Sequence, residues 1–257
     1  ALMSLYLPTL LVHGLAWRER RWLAQADAVI TASYVLADEY RARGVRQPLV
    51  TIANLAELTD YPDSAPDERA AQRAALGVDP DSLLVGYIGG FTRNRLLLPL
   101  VAALKDQPGL HLLLAGDGPQ RIALQAAIAG ATNITDLGWI PAGQVPRTTR
   151  LVDVLVYCLV PDYPGAIYNA PNSLANALAA GRPLIANPVG DLGRIVAETG
   201  CGVLIDPVTP KSIRAAVQRL ADPAARAQLG AAGRRAAVTT YHWEIAAQAL
   251  VQFYAGL

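Results

Sequence analysis

Two polar turns in the segment 169–207 hold the residues best suited to chemistry in this chain. At the end of the first turn, Asn172 and Ser173 open a short apolar helix. The first amide N–H groups of a helix have no partner inside it, and the helix dipole adds positive charge there, so such a start binds phosphate well. The second turn, residues 188–191, follows a buried strand. Together the turns predict a pocket for a diphosphate that carries a polar group.

A third turn, rich in glycine and arginine, follows the apolar strand 83–89. It contains Gly90, Arg93 and Arg95. Glycine lets a backbone approach a ligand, and the planar guanidinium of arginine fits phosphate oxygens. The spacing is not that of the dinucleotide fingerprint G-x-G-x-x-G. A surface turn with solvated arginines remains the alternative here, as ordinary helix capping does for Asn172 and Ser173.

Two further turns have the same position between a strand and a helix. Residues 116–119 read Gly-Asp-Gly-Pro, for which a tight turn needing glycine is a sufficient explanation. Residues 138–141 read Gly-Trp-Ile-Pro, a turn along which a nucleobase can lie; the alternative is that Trp139 covers an apolar edge. His111 lies in an apolar strand and is expected to be packed in the core, whereas His242 is expected to cap or pack.

The elements that must position these turns alternate along the chain. Apolar runs predict strands at residues 28–31, 49–54, 83–89, 110–115, 134–137 and 152–159, and again around Ile185 and Val203. Amphipathic or apolar segments between them predict helices: one begins at Trp17, one follows Ser33 as its capping residue, and the last spans residues 243–254. Strands without polar alternation are buried on both faces. The sequence therefore predicts an α/β fold, a Rossmann-like doubly wound parallel sheet with a partial second Rossmann-like domain.

Composition excludes several classes of protein. The 257 residues are 53% hydrophobic and 17% charged, with a net charge of +1, which argues against nucleic acid as a partner. The two cysteines, Cys158 and Cys201, stand in apolar contexts and are expected to be buried thiols of a cytoplasmic protein. No metal-ligand spacing occurs, so no metal or other cofactor is expected.

The first seventeen residues are apolar but contain Pro8, His13 and Gly14. They lack the basic start of a signal peptide and are too short for an uninterrupted membrane span. Packing against further protein and peripheral contact with a membrane are both open. Because the chain begins at Ala1, we expect it to be a fragment.

In their order, these segments resemble the family-4 retaining glycosyltransferases of the GT-B fold. The resemblance runs over nearly the whole chain and is carried by ADAVITASYVLADEYRARGV, VGYIGGF, LLLAGDGP, ITDLGWIP and PNSLANALAAGRPLIANPVGDLGRIV. It implies residues 1–56 as a remnant of the acceptor-side domain and residues 57–68 as a linker. It further implies a donor-binding domain at residues 69–240 and a terminal helix, 241–257, that crosses toward the N-terminal domain.

The resemblance implies transfer of a sugar from a nucleotide-sugar donor to a saccharide, lipid or small-molecule acceptor that the sequence does not identify. The donor phosphates would be held by Gly90, Arg93, Arg95, Asn172 and Ser173, without a metal ion. Ile140 and Asn176 would hold the nucleoside, and Tyr168 would lie beside the sugar.

The chain departs from the family pattern at two positions. The family carries two glutamates eight positions apart, and here those positions hold Tyr168 and Asn176. An amide oxygen can still accept a hydrogen bond from a ribose hydroxyl, but without the charge. Tyr168 cannot supply a carboxylate near the sugar, and no catalytic residue is assigned. A non-catalytic nucleotide-binding or scaffold module is therefore the alternative hypothesis.

Overall fold

The computed structural model describes residues 9–62 and 66–257. Its main body is a six-stranded, all-parallel sheet in the order β5-β4-β3-β6-β7-β8. The six strands are Leu83–Ile88 (β3), Leu110–Ala115 (β4), Ile134–Asp136 (β5), Val154–Tyr157 (β6), Leu184–Ala186 (β7) and Gly202–Leu204 (β8). Chain order reverses between β3 and β6, as in a doubly wound Rossmann sheet. The predicted α/β fold is confirmed.

Helices cover this sheet in two groups. The first group consists of α4 (Leu97–Leu104), α5 (Arg121–Ile128) and α9 (Pro210–Arg219), and α4 contacts the other two. The second contains α6 (Val145–Leu151), α7 (Asn172–Ala180) and α10 (Pro223–Thr239), where α7 contacts both neighbours. Helix α8 (Gly190–Thr199) packs on β7, β8 and α10.

The core lies between the sheet and these helices. Every residue of β3, β6 and β7 is buried, because the central strands are covered on both faces. Tyr87 and Phe91 are among the largest fully buried side chains. Cys158 and Cys201 are buried free thiols, as predicted, and burial raises the pKa of Cys158 to about 12.

The N-terminal part forms a small unit of its own. Helix α1 (Thr9–Gln25) precedes two parallel strands, β1 (Val29–Thr31) and β2 (Leu49–Thr51), which are connected by α2 (Tyr34–Ala42). This β-α-β unit is one step of the predicted second Rossmann-like domain. Ser33 accepts a hydrogen bond from the amide of Leu36, so it caps α2 as its position predicts.

The C-terminal helix α11 (Trp243–Ala255) begins beside this unit. The Trp243 amide donates to the Ala56 carbonyl at 3.3 Å. None of the helices within residues 9–62 and 66–257 combines the length and the apolar character that a bilayer span requires. The apolar start at residues 1–8 lies outside the described residues.

Several predicted boundaries differ from the structure. Helix α3 (Pro66–Ala75) occupies the last three residues of the predicted linker 57–68 and was missed, because its composition is polar and rich in charge. Helix α1 extends further toward the N-terminus than the predicted start at Trp17. The strand predicted at 49–54 ends at Thr51, and the one predicted at 152–159 covers only Val154–Tyr157. Residues 63–65 of the linker lie outside the described part.

Candidate functional site

Three of the predicted turns form one rim at the carboxyl ends of the strands. The Gly89 amide donates to the Ala115 carbonyl at 2.9 Å, and the Gly116 amide donates to the Gly138 carbonyl at 2.7 Å. The turns after β3, β4 and β5 are thereby tied together through their backbones. The rim stands beside the switch point between β3 and β6, where doubly wound sheets bind their ligands.

The start of α7 meets this rim at the end of β3. The Ser173 hydroxyl donates to the Ile88 carbonyl at 2.8 Å, and Ser173 is 8% exposed. A Cβ atom on Gly89 would lie 3.5 Å from the Ser173 hydroxyl oxygen. The structure therefore brings the glycine turn and the polar helix start together. The Ser173 side chain fixes that arrangement, which leaves its backbone amide as the group that can face a ligand.

The amino end of α7 is open. Within the described part of the chain no side chain caps this helix, and the Leu174 amide donates to the Pro171 carbonyl at 3.1 Å. Asn172, the first residue of the helix, is exposed and lines a cleft. Uncapped amides at a helix start are well placed to bind an anion.

The two arginines of the glycine turn differ in their surroundings. The Arg93 side chain is exposed. The Arg95 guanidinium lies 4.8 Å from the centre of the Tyr157 ring, which stacks on Tyr87. Its Nε and Nη1 atoms are buried and have no hydrogen-bond partner among the described residues. Buried polar groups are normally paired, so Arg95 is the stronger candidate for a ligand contact.

A cleft of about 570 Å³ opens between the rim, α7 and the stretch that follows β2. Its lining includes Gly89, Asn172, Ser173 and Asn176, together with Ala142, Val145 and Pro146, which follow the turn 138–141. Glu57, Asp60 and Trp243 also line it and were not predicted. The first two fell in the presumed linker, and Trp243 is brought near only by the return of α11. Their sequence context held no signal for this position.

Asn176 lies one turn into α7 and already has a partner. The Tyr61 hydroxyl donates to the Asn176 side-chain oxygen at 2.9 Å. Tyr61 is 4% exposed. The Asn176 carboxamide therefore holds Tyr61 in place while one of its edges faces the cleft.

Five candidate residues are not part of the cleft lining: the two arginines Arg93 and Arg95, and also Ile140, Tyr168 and Gly90. Ile140 is half-buried and packs against the core, so the residues that follow it supply the cleft wall. Tyr168 is half-buried, and its hydroxyl donates to the Glu39 carboxylate of α2. Gly90 is exposed, and its carbonyl accepts a hydrogen bond from the Tyr87 hydroxyl at 2.8 Å.

The second polar turn, residues 188–191, serves the structure instead of a ligand. The Asp191 carboxylate accepts from the amides of Tyr34 and Val35, at 2.9 and 3.0 Å, and is 1% exposed. It thus caps α2 of the N-terminal unit. The backbone of Ile167 lies so close that a Cβ atom on Gly190 would be 2.0 Å from its carbonyl oxygen. The turn does not line the cleft beside α7, so the predicted pocket between the two polar turns is not formed there.

The histidines have structural surroundings. His111 is 5% exposed, its Nε2 lies 2.8 Å from the Thr135 hydroxyl oxygen, and burial lowers its pKa. His242 precedes α11 and contacts the Glu244 carboxylate. Among the residues described, no group of three or more His, Cys, Asp or Glu side chains could hold a metal ion.

Comparison with known proteins agrees with this geometry. Residues 82–222 match the family model of the glycosyl transferases of group 1. The D-inositol 3-phosphate glycosyltransferase of Segniliparus rotundus is 30% identical over 202 residues, which are 74% of this chain and 43% of that protein. The alpha-maltose-1-phosphate synthase of Mycolicibacterium smegmatis is 25% identical over 259 residues, 93% of this chain and 65% of that protein. The chain thus spans about half to two thirds of the length of these relatives.

Solved structures share the fold. Sucrose-phosphate synthase from Thermosynechococcus elongatus superposes with a TM-score of 0.74 at 28% identity, over 93% of this chain and 60% of that one. HepE from Anabaena, solved in complex with UDP and glucose, gives a TM-score of 0.75 at 18% identity, over 90% of this chain and 64% of that one. More than half of the sequence lies within the matched family region. The chain therefore belongs to the glycosyl transferases of group 1.

Proposed function

We propose that the protein transfers a glycosyl group from a nucleoside-diphosphate sugar to an acceptor, with retention at the anomeric carbon and without a metal ion. One observation carries the proposal: the glycine turn after β3 meets the open amino end of α7 at the switch point of the sheet. That arrangement offers backbone amides to a diphosphate, and we propose that the Arg95 guanidinium turns from the Tyr157 ring to join them when the donor binds.

In the proposed mechanism, the protein stabilises the negative charge that forms on the leaving diphosphate. When the glycosidic bond to the diphosphate breaks, negative charge grows on the departing phosphate oxygens. Amides of Asn172 and Ser173 and the guanidinium of Arg95 would stabilise that charge more in the transition state than in the bound donor, which is what accelerates a reaction. In this proposal these groups replace a metal ion.

The nucleoside would lie in the remainder of the cleft. Its volume of about 570 Å³ is within the range of about 300–1,000 Å³ that small-molecule sites occupy. Residues 142–146 would flank the base, and the Asn176 carboxamide would accept from a ribose hydroxyl. Because structural neighbours were solved with UDP, a uridine nucleotide is the first donor to test.

The acceptor side lies toward the N-terminal unit. Exposed Trp17 and Trp22, both 60% exposed on α1, offer an apolar surface for further protein or for a membrane-bound acceptor. The buried thiols Cys158 and Cys201 fit a reducing cytoplasm, where we place the reaction.

Nucleotide binding tests the phosphate site. We expect replacement of Arg95 by glutamine to weaken UDP binding by about 1.5–3 kcal/mol, the range for hydrogen bonds to charged groups. Calorimetric titration gives the dissociation constants, and Arg219→Gln, an exposed arginine on α9, serves as the matched control. Equal affinities in both variants would remove Arg95 from the site.

The family membership favours a transferase over a non-catalytic binding module, and one contact makes that choice worth testing. At the position of the family's first glutamate, Tyr168 turns to Glu39 of α2 and presents no carboxylate to the cleft. A binding module would bind UDP-glucose without releasing UDP in the presence of acceptors. Release of UDP, with the product's anomeric configuration read by NMR, supports the transferase; a bound but unreacted donor supports the module.

A further inference from the structure

A second cavity, of about 490 Å³, opens at the other end of the sheet strands from the cleft. Four arginines line it, and we call it the arginine pocket: Arg69, Arg150, Arg182 and Arg234. Arg150 and Arg182 precede β6 and β7, so they lie at the amino ends of the strands, whereas the nucleotide cleft lies at the carboxyl ends. Tyr61 lines both cavities.

The carboxylate of Asp153 compensates part of this positive charge, and both of its oxygens already have partners. Asp153 pairs with Arg69 at 2.7 Å and with Arg73 at 2.8 Å, and it also accepts from the Leu84 amide. Burial would raise its pKa, but the Leu84 amide and the two guanidiniums together lower it. Asp153 therefore stays ionised near neutral pH and has no oxygen left for the other arginines.

The other three arginines of the pocket have no carboxylate partner in the part of the chain that the structure describes. Two of them donate to backbone carbonyls. Arg182 donates to the Arg150 carbonyl at 2.7 Å, and Arg234 donates to the Ala179 carbonyl at 2.6 Å. Such contacts with carbonyls at helix ends are common and need no ligand. The Arg150 guanidinium makes no such contact within the described residues, and its Nε and Nη1 atoms are buried, as is the unpaired Nε of Arg182.

Unpaired charge of this kind costs stability. Burial and then the guanidiniums of Arg69, Arg73 and Arg150 lower the pKa of Arg182 to about 10, against an opposing effect of Asp153. The Arg182 guanidinium is thus still positive at neutral pH. A protein that keeps several uncompensated charges around a cavity gains free energy when an anion with several oxygens enters.

We propose that the arginine pocket binds a phosphate group, separately from the nucleotide cleft. Planar guanidiniums match the oxygens of phosphate, and the cavity has the size of a small-molecule site. The group can come from a soluble phosphorylated metabolite or from a phospholipid headgroup, since both present the same oxygens.

Arg150→Gln is the informative substitution. It removes the charge of a side chain that donates no hydrogen bond within the described residues, so we expect the unliganded protein to keep or raise its melting temperature. Binding of inorganic phosphate, measured by calorimetry at constant ionic strength, should weaken by at least about tenfold. Arg147→Gln, an exposed arginine on the same helix, makes the same charge change and should bind as the unaltered protein does.

Sedimentation with vesicles distinguishes the two sources of phosphate. Vesicles of phosphatidic acid in phosphatidylcholine are compared with phosphatidylcholine alone, for the unaltered protein and both variants. Weaker binding of inorganic phosphate in Arg150→Gln, but not in Arg147→Gln, supports the pocket; a parallel loss of phosphatidic acid binding identifies a lipid headgroup as the source, and unchanged or absent vesicle binding identifies a soluble metabolite. Equal phosphate binding in Arg150→Gln and the unaltered protein would place the anion elsewhere, and no binding of either probe would also overturn the proposal.

Discussion

Asn176 stands where the family pattern has glutamate, and this difference changes the chemistry available at that position of the cleft. The family resemblance implies a position beside the ribose, and the structure sets Asn176 in the cleft wall. There the Tyr61 hydroxyl donates to its side-chain oxygen at 2.9 Å. A carboxylate in this position could accept from Tyr61 and from a ribose hydroxyl at once, because it has two acceptor oxygens. The amide has a single acceptor oxygen, so Tyr61 and a ribose hydroxyl would have to share that oxygen.

Asn176→Glu should therefore strengthen UDP binding. A charged acceptor gains about 1 kcal/mol over a neutral one, which is roughly a fivefold lower dissociation constant. Asn176→Gln is the matched control, since it has the length of glutamate without the charge. Titration with 2′,3′-dideoxyuridine diphosphate should abolish the gain. If Glu strengthened binding equally for the dideoxy ligand, Asn176 would not face the ribose.

At the scale of elements, backbone contacts between turns hold the phosphate-side rim together. A Cβ atom on Gly116 would lie 1.9 Å from the Gly89 carbonyl oxygen, and the Gly116 backbone has φ = 156°. Only glycine allows so close an approach of one turn to the next. The Gly-Asp-Gly-Pro sequence thus supports the site indirectly, by fixing the turn that follows β3.

Gly116→Ala should push the Gly89 turn away from α7. We expect a loss of about 1–3 kcal/mol in unfolding free energy from overpacking, and weaker UDP binding in the fraction that stays folded. Gly14→Ala, on helix α1 where an added Cβ atom has no neighbour within 4 Å among the described residues, is the control. Denaturant titration and calorimetry measure the two effects. Unchanged nucleotide affinity in Gly116→Ala would show that the rim tolerates displacement.

At the scale of the molecule, the amino ends of α2 and α7 differ, since the first is capped by side chains and the second, among the residues described, is not. The start of α2 is closed by Ser33 and by Asp191, which reaches across from α8 to the N-terminal unit. Arg194 of α8 adds an ion pair with Asp38 of α2 at 3.0 Å. The start of α7 is left open toward the cleft. The closed helix joins the N-terminal unit to the main sheet, and the open one leaves its first amides available to the proposed ligand.

Asp191→Ala should loosen the N-terminal unit. It leaves the amides of Tyr34 and Val35 without partners, and losing hydrogen bonds to a charged group costs about 1.5–3 kcal/mol each at most. Limited proteolysis should then cut between the unit and the main sheet faster than in the unaltered protein. Asp162→Ala, at an exposed aspartate, should be cut at the original rate. Equal cutting in both variants would mean that other contacts, such as Trp243 with Ala56, hold the unit.

The sequence predicted most of what depends on short-range pattern. Continuous apolar runs fixed the strands, and Ser33 marked the start of α2. Helix α3 was missed because a charged surface helix has little apolar periodicity. The partners of polar side chains had no such pattern: Ser173, Asp191 and Tyr168 all bond to residues far away in the chain.

The sequence alone determined that a parallel doubly wound sheet carries polar turns at one edge, because strand burial and turn chemistry are local properties. Which of these turns line the cleft was decided only by the tertiary structure. The Asp191 carboxylate accepts a hydrogen bond at the start of α2. Tyr61 and Trp243 reach the cleft from the two ends of the main domain. The gathering of four arginines from α3, α6, α10 and the turn before β7 had no signal in the sequence either. Contacts between distant segments depend on how helices pack on the sheet, and that packing is a property of the whole chain.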